Sequence, residues 1–143
     1  MRWQRDDLVL TDEPTRTIVE DTHAMLQTTY WSHKRALDVV EEAIANSLCF
    51  VLLSGEKQVG FARLITDYAT TSWLADVILA EELHGNGIGT WMMECVMQHP
   101  AVAETQFVLQ TGSAHAFYER LGFAGNDALM STPVDYLSGG DDG

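Results

Sequence analysis

Basic residues are scarce in this chain: 8 Lys and Arg stand against 21 Asp and Glu, which gives a formal net charge of −13 over 143 residues. Such an excess of negative charge repels phosphate backbones and anionic lipid headgroups. We therefore expect neither nucleic acid nor a membrane as a partner. An acidic surface attracts cationic small molecules, but it also serves solubility, so the charge alone names no substrate.

Cysteine and long apolar runs are also scarce. Cys49 and Cys95 each lie in an apolar stretch, which predicts buried free thiols in a reducing compartment rather than a disulfide or a metal pair. The longest strongly apolar run, "LCFVLL" at 48–53, is far too short to span a bilayer. The opening "MRWQRDDLVL" lacks the apolar segment of a signal peptide, so we expect a cytoplasmic protein. The histidines show no metal-ligand spacing, and we predict no metal site.

The composition that remains is that of an ordinary globular protein, with 46% hydrophobic and 20% charged residues. The sequence contains no internal repeat and no low-complexity linker. We predict a single domain over residues 1–137. A flexible tail is expected over residues 138–143, where "SGGDDG" is polar and glycine-rich.

The pattern of apolar and polar residues predicts an α+β domain with a mixed sheet. A short strand, "DLVLT", precedes two helices, the second of which Ser32 can cap. Two β-rich stretches around "GEK" form a hairpin, and a third strand, "SWLADVILA", follows. A helix that ends before Pro100, the strand "TQFVLQT" and a short helix over 114–121 come next. The predicted order is β, α, α, β, β, β, α, β, α, β.

A glycine-rich turn, "HGNGIG" at 84–89, leads from the third of these strands directly into a helix. Such a turn presents unpaired N–H groups with the positive end of the helix dipole behind them, which favours binding of a phosphate. Alternate glycines let the backbone approach phosphate oxygens closely. The segment matches neither a dinucleotide-binding fingerprint nor a P-loop. Glycines that merely shape the turn remain the alternative.

A second motif, "AHAFYERLGF" at 114–123, follows the last predicted strand. Together the two motifs strongly resemble the GCN5-related N-acetyltransferase (GNAT) superfamily. Its phosphate loop has Arg or Gln, two residues, Gly, one residue, and Gly or Ala; its second motif has Ala, three residues, Tyr, three residues and Gly-Phe. The matching positions here are His84, Gly87, Gly89, Ala114, Tyr118, Gly122 and Phe123. His84 replaces the usual Arg or Gln, and Ser113 replaces the Asn or Asp that usually precedes the second motif.

The resemblance implies a mixed, mostly antiparallel sheet flanked by helices, with a splayed parallel strand pair at the cofactor site. It also implies an acetyl-CoA-dependent N-acetyltransferase without a metal. The acceptor would be the amine of a small molecule or an amino terminus, which attacks the thioester directly, and a homodimer is one possible assembly. A non-catalytic acetyl-CoA or CoA binding module, a sensor or partner-binding protein, is the alternative that the changes at His84 and Ser113 keep open. A nucleotide or flavin binder is disfavoured, because the second motif has no part in dinucleotide recognition.

The resemblance also assigns residues to roles. In the family, free amides of the bulged strand before the loop, here Val77 to Ala80, bind pantetheine and polarise the thioester carbonyl. The implied cofactor-binding residues are Val77, Ile78, Leu79, His84, Gly85, Asn86, Gly87, Ile88, Gly89, Thr90, Ser113, Phe117 and Tyr118. Tyr118 aligns with the tyrosine that often protonates the departing thiolate, although a packed tyrosine is the simpler interpretation.

Three further residues are candidates for the acceptor side. Tyr30 and Trp31 lie where family members often build the acceptor wall, but a core aromatic pair is equally consistent with the sequence. Asp76 interrupts an apolar strand, and a period of two places it on one face with Leu74 and Ile78, where an unpaired carboxylate is costly. We assign it to binding of the substrate amine or water-mediated base catalysis, with a structural hydrogen bond as the alternative. The weaker candidates, which are more simply solvated, are Glu81, Glu82 and His115.

Overall fold

A six-stranded sheet forms the centre of the molecule, and the computed structural model describes residues 1–132. The predicted tail, 138–143, and the end of the predicted domain lie outside the described residues. The strands are β1 (Arg2–Arg5), β2 (Leu8–Thr11), β3 (Leu48–Ser54), β4 (Lys57–Thr66), β5 (Thr71–Leu79) and β6 (Gln106–Val108). The helices are α1 (Ile18–Leu26), α2 (Leu37–Ala45), α3 (Ile88–Met97) and α4 (His115–Glu119), and a 3-10 turn spans Glu81–Leu83.

The strands lie side by side in chain order. Each neighbouring pair from β1 to β5 is antiparallel, whereas β6 runs parallel to β5. The sheet is therefore mixed and mostly antiparallel, and it carries the parallel strand pair that the resemblance implied. The predicted α+β class is confirmed.

The core is divided between the two faces of the sheet, because side chains alternate along the central strands. On β3, Phe50 and Leu52 pack in a cluster with Val96 of α3, while the intervening Val51 packs with Ile18 of α1. Helix α3 thus covers one face, and α1 and α2 cover the other.

Some predicted boundaries differ from the structure. Helix α2 begins at Leu37 after an extended Ala36, so the predicted Ser32 cap is wrong. Ser32 is buried in the turn after α1, where its N–H donates to Oγ1 of Thr29. Strand β1 has no counterpart in the predicted order, since its mostly exposed residues show no apolar alternation. No strand follows α4 through residue 132, so the last predicted strand is not found in that part of the chain.

Candidate active site

Strands β5 and β6 separate partway along β5 and leave a gap at that edge of the sheet. Their parallel pairing covers only Thr71 to Trp73 of β5, although β5 continues to Leu79. A cavity of about 240 Å³ lies in the gap. It is lined by residues 73–77 and 109–114 together with Tyr30, Trp31 and Tyr118. Along this cavity β5 presents an edge that no strand within residues 1–132 pairs with.

An irregularity in β5 lies at the wall of the cavity. The register between β4 and β5 shifts between Phe61 and Arg63, so that Asp76 and Val77 both face Ala62. This is a β-bulge, a feature that commonly re-aims groups beside active sites. Asp76 has a left-handed backbone with φ +53°, a conformation that costs about 1 kcal/mol or more for a residue other than glycine.

The bulge also changes which face of the sheet the following residues occupy. Leu74 packs in the cluster on the α3 side, whereas Ile78 packs with Leu26 and Val40 on the α1 and α2 side. The prediction that Asp76 shares one face with both Leu74 and Ile78 is therefore wrong. One extra residue in a strand inverts the alternation of every residue beyond it.

The glycine-rich segment 84–89 connects the end of β5 to α3. Gly85 and Gly87 have φ values of +84° and +75°, which residues with a Cβ rarely adopt. Gly87 is the N-cap of α3, and no side chain in the described part of the chain caps this helix end. A Cβ on Gly89 would lie 3.5 Å from the Phe117 ring. The first N–H groups of α3 are thus open at a turn that only glycine accommodates easily, which suits an anion.

Tyr118 of α4 lines the same cavity. Its ring meets those of Phe117 and Phe123 edge-on, with centroid distances of 5.0 and 5.7 Å. Burial alone raises the pKa of Tyr118 to about 12. The hydroxyl therefore keeps its proton at neutral pH, as a proton donor must.

The segment that contains the bulge, the glycine loop and Tyr118 matches a known family. A family model described as an acetyltransferase (GNAT) domain covers residues 45–124. The chain belongs to the GNAT acetyltransferase family. It is therefore an enzyme of the acyltransferase class.

Individual relatives support this assignment. A candidate GNAT-family acetyltransferase from Xanthomonas campestris pv. campestris is 34% identical, with a TM-score of 0.81 over 87% of this chain and 92% of that one. The Gibberella zeae protein FG08082, named as a candidate acetyltransferase, is 27% identical over 84% of this chain and 81% of its own length. Glucosamine-6-phosphate N-acetyltransferase from Arabidopsis thaliana shares the fold, with a TM-score of 0.62 at 14% identity over 87% of this chain and 97% of that one.

In this GNAT acetyltransferase two arginines engage the carboxylate of Asp76. Nη1 of Arg35 and Nε of Arg63 donate to its Oδ2 over 2.8 and 2.9 Å, and the Asp76 side chain is only 6% exposed. Two donors use both lone pairs of that oxygen. This is the geometry of the structural hydrogen-bonding alternative. No sequence pattern indicated either arginine, because neither lies in a motif.

His84 is tied to the end of β5. Its Nε2 donates to the carbonyl oxygen of Leu79 over 2.9 Å. In this tautomer Nδ1 carries a proton only when the ring is charged. An anion at the glycine loop would therefore receive a hydrogen bond from the protonated ring but not from the neutral one.

A positive charge reaches the glycine loop from outside the family motif. Nη2 of Arg5, at the end of β1, lies 3.8 Å from the position that a Cβ on Gly87 would take. Strand β1 is at the opposite edge of the sheet from β6. No sequence pattern near the loop indicates Arg5. The two segments are distant in the sequence, and only the tertiary structure brings β1 close to the start of α3.

The segment between α1 and α2 forms another wall of the cavity. Tyr30 and Trp31 both line it, and their rings meet edge-on with centroids 5.3 Å apart. The Tyr30 hydroxyl lies 3.4 Å from Oγ of Ser113 on the segment beyond β6. Tyr30 is 48% exposed, whereas Trp31 is partly buried and packs against the cluster of Leu26, Val40 and Ile78.

The other predicted cofactor residues differ in which groups are accessible. Ile78 and Ile88 are each 8% exposed and belong to the core, so only their backbone groups are available to a ligand. Asn86 is exposed in the loop, whereas Leu79 and Thr90 are half-buried at its two ends.

The weaker candidates lie apart from the cavity. Glu81, Glu82 and His115 are exposed and do not line it. Within residues 1–132 no three or more His, Cys, Asp or Glu side chains are grouped as metal ligands would be. No helix in that range combines the length and apolarity needed to cross a membrane.

Proposed function

We propose that this enzyme transfers the acetyl group of acetyl-CoA to the amine of a small molecule or an amino terminus. The amine attacks the thioester directly. One observation carries the proposal: a single cavity between β5 and β6 adjoins the bulge at Asp76 and Val77, Tyr118, and the aromatic pair Tyr30 and Trp31.

The groups at one end of this arrangement fit the pyrophosphate of acetyl-CoA. Gly85 and Gly87 have positive φ values that favour glycine, and glycine has no Cβ to block the open N–H groups of α3. Arg5 adds a cation beside Gly87. We assign the pyrophosphate to residues 84–90 with Arg5, and the pantetheine arm to the unpaired edge of β5 over 77–79 with Ser113 and Phe117 alongside.

The groups at the other end fit the chemistry of acetyl transfer. Acetyl-CoA supplies an acetyl thioester. A β-bulge interrupts the ladder of backbone hydrogen bonds. N–H groups freed at this bulge would suit the charge that develops on the carbonyl oxygen, because fixed donors need no reorganisation. Tyr118 is suited to protonate the departing sulfur, and general acids of this kind contribute about 10²–10⁴-fold to the rate.

We assign Asp76 and the aromatic pair to the acceptor. Oδ2 of Asp76 already accepts from Arg35 and Arg63, so Oδ1 is the oxygen left to accept from an amine, directly or through a water. Oδ1 would also receive, by the same path, the proton that the amine loses as it attacks the carbonyl carbon and the carbon–sulfur bond breaks. Tyr30 and Trp31 would contact the rest of the acceptor. A cavity of about 240 Å³ suits a small amine or a chain terminus.

Direct attack is preferred to a covalent acyl-cysteine route. Neither Cys49 nor Cys95 lines the cavity. Burial raises the pKa of Cys49 to about 12 and also raises the pKa of Cys95. Both thiols therefore stay protonated, whereas a thiolate is the form that attacks a carbonyl.

A non-catalytic CoA-binding module is the second candidate, and the site of His84 favours it. Where the family usually has Arg or Gln, the ring is held by Leu79 and offers no permanent charge. Weak or pH-dependent cofactor binding would then serve sensing rather than turnover.

Calorimetry followed by an acceptor screen tests the proposal. We expect acetyl-CoA and CoA to bind and NAD not to bind. Release of the CoA thiol is then followed over a panel of primary amines and short peptides with free amino termini. Thiol release with an acceptor supports the enzyme, binding without release on any acceptor supports the module, and failure to bind either CoA compound contradicts both.

A further inference from the structure

The bulge of β5 is held in place by charged side chains from two other segments. We propose that Arg35 and Arg63 are positioning residues: through the carboxylate of Asp76 they fix the bulge that receives the thioester and tie it to the acceptor wall. This inference rests on the proposed function. The inference goes beyond the proposed function because it names the residues that set the geometry of the reacting groups.

The three side chains converge on one oxygen atom. Arg35 comes from the segment between α1 and α2, Arg63 from β4, and Asp76 from β5. The donor distances to Oδ2 of Asp76 are 2.8 Å from Arg35 and 2.9 Å from Arg63. All three side chains are largely buried, with exposures of 14%, 11% and 6% in that order. Water is thus mostly excluded from the cluster, so its geometry is tightly constrained.

The residue that these arginines hold has an unusual backbone. Asp76 has φ +53° within a strand whose neighbours are extended. A left-handed conformation at a residue with a Cβ persists only where the surroundings impose it. Two guanidinium groups on the side chain prevent the bulge from relaxing into regular pairing with β4. The peptide groups of Asp76 and Val77 therefore keep the bulged orientation that the proposal assigns to binding of the thioester carbonyl.

The arginines of this cluster also contact or adjoin the segments before and after α2, and Arg35 is close in sequence to the acceptor wall of Tyr30 and Trp31. Arg35 follows Trp31 closely in the chain, and its carbonyl oxygen accepts from Nε2 of His23 on α1 over 3.1 Å. Nη1 of Arg63 donates to Oγ of Ser47 over 3.1 Å, just beyond the end of α2. The wall formed by Tyr30 and Trp31 and the bulge at Asp76 are therefore held by the same interactions. A substitution at Arg35 should change the geometry of both.

A purely stabilising role is the competing explanation, and a second ion pair in the chain serves as its control. Asp12 accepts from Nε2 of His99 over 2.7 Å, and neither residue lines the cavity. The variants D76N and D12N each remove one carboxylate charge from a partly buried pair. A stabilising role predicts that both lower the unfolding temperature and leave the ligand unaffected at temperatures where the protein is folded.

The test uses acetyl-CoA itself as the probe, so that no acceptor is needed. Infrared spectra of acetyl-CoA labelled with carbon-13 at the thioester carbonyl report hydrogen bonding to that oxygen, which lowers its stretching frequency. Calorimetry gives the affinity for acetyl-CoA relative to CoA. Thermal unfolding sets a working temperature at which each variant is folded.

We expect the wild type to lower the carbonyl frequency and D76N to lose most of that shift. The preference for acetyl-CoA over CoA should fall by about tenfold in D76N, the effect of one lost hydrogen bond. Affinity for CoA should stay within about twofold, because the glycine loop is untouched. R35Q should behave like D76N, and R35K should recover part of the shift. D12N should match the wild type in both measurements.

Each remaining outcome has a definite meaning. A wild-type protein that binds neither acetyl-CoA nor CoA overturns the proposed function and this inference with it. A wild type that binds both without a carbonyl shift leaves cofactor binding intact but overturns the positioning role. The role is also overturned if D76N and R35Q keep the wild-type shift, or if D12N loses it equally. Should D76N fail to fold, R35Q and R35K carry the same comparison.

Discussion

At the scale of single residues, Tyr118 and His84 carry the proton chemistry of the proposal. Both are titratable groups, and their surroundings in the structure differ. Burial alone raises the pKa of Tyr118 to about 12, without a contribution from a hydrogen bond. His84 instead has one ring nitrogen committed to Leu79. The first is therefore suited to donate a proton, and the second is suited to respond to pH.

The substitution Tyr118→Phe keeps the aromatic packing and removes the proton donor. We expect kcat to fall by about 10²–10⁴-fold where chemistry limits turnover, with little change in the Kd for CoA. Steady-state kinetics and thermal unfolding on the same protein measure the effect. Tyr68→Phe, at an exposed position on the turn between β4 and β5, is the control and should be unchanged. A normal kcat in Tyr118→Phe would remove this hydroxyl from the mechanism.

Because Nε2 of His84 donates to Leu79, Nδ1 can donate to a phosphate only when the ring is protonated. Affinity for acetyl-CoA should therefore fall as pH rises and the ring loses its charge. Calorimetry at several pH values measures the effect. The His84→Gln variant corrects for ionisation of the 3′-phosphate of CoA, a monoester whose second pKa is about 6. Identical profiles in the two proteins would show that the ring does not contact the phosphates.

At the scale of elements, the proposal places binding of the cofactor at the join between β5 and α3. The glycine turn leaves the N-terminus of α3 uncapped by any side chain of residues 1–132, and Arg5 from β1 lies beside it. Neither element alone supplies both the open N–H groups and the positive charge. The contribution of each can be separated by substitution.

Gly87→Val tests the glycine turn, and Gly55→Val is its control. Both glycines have positive φ values, +75° and +62°, and Gly55 lies in the hairpin between β3 and β4. Each variant should lose about 1–2 kcal/mol of unfolding free energy from left-handed strain. Only Gly87→Val should weaken acetyl-CoA binding, by about tenfold or more, because its side chain blocks the approach of phosphate. Equal affinity of both folded variants would exclude pyrophosphate from this turn.

Arg5→Gln tests the cation, and Arg2→Gln on the same strand is its control. We expect Arg5→Gln to weaken CoA binding by about three- to tenfold, since an exposed contact to phosphate is partly screened by water. The loss should shrink as salt increases. Calorimetry at two salt concentrations measures both effects. Similar losses for Arg2→Gln would mean that total charge, rather than the position of Arg5, governs affinity.

At the scale of the whole molecule, a hydrogen bond between His99 and Asp12 connects distant parts of the chain. Asp12 follows β2, and His99 follows α3; Nε2 of His99 lies 2.7 Å from Oδ2 of Asp12. Burial acts to raise the pKa of Asp12. The hydrogen bonds and charges of the Met1 amino group and His99 outweigh it and leave the pKa below the usual value. The ionised form is therefore favoured in the folded state.

The stability that Asp12 contributes should be lost in acid. A lowered folded-state pKa contributes stability that is complete above the unfolded value of about 4 and disappears as pH falls through the folded value. At neutral pH we expect Asp12→Asn to reduce the unfolding free energy by about 1.5 kcal/mol, typical of a hydrogen bond to a charged group. Denaturant titrations at several pH values measure it. A gap between the two proteins that persists undiminished into strong acid would contradict this linkage.

The amino-acid sequence by itself determined the features that depend on near neighbours. The glycines at 85, 87 and 89, the motif around Tyr118 and the β-rich stretches of β3 and β4 on either side of their turn are local patterns, since backbone sterics and residue preferences act over a few residues. They were enough for the α+β class and the family. Local patterns failed at Ser32, which was predicted to cap the second helix. Ser32 is instead buried in the turn after α1, because packing there outweighs the local preference.

Only the tertiary structure decided which charges meet at the site. Arg35 lies 41 positions from Asp76 along the chain, and Arg5 comes from the far edge of the sheet, so no local rule connects them to the cavity. The assignment of side chains to alternate faces of the sheet also assumes an unbroken strand. One extra residue at the bulge reversed the faces of the residues beyond Asp76. Long-range pairing, register and packing are collective properties of the folded chain, and they set the partners of Asp76.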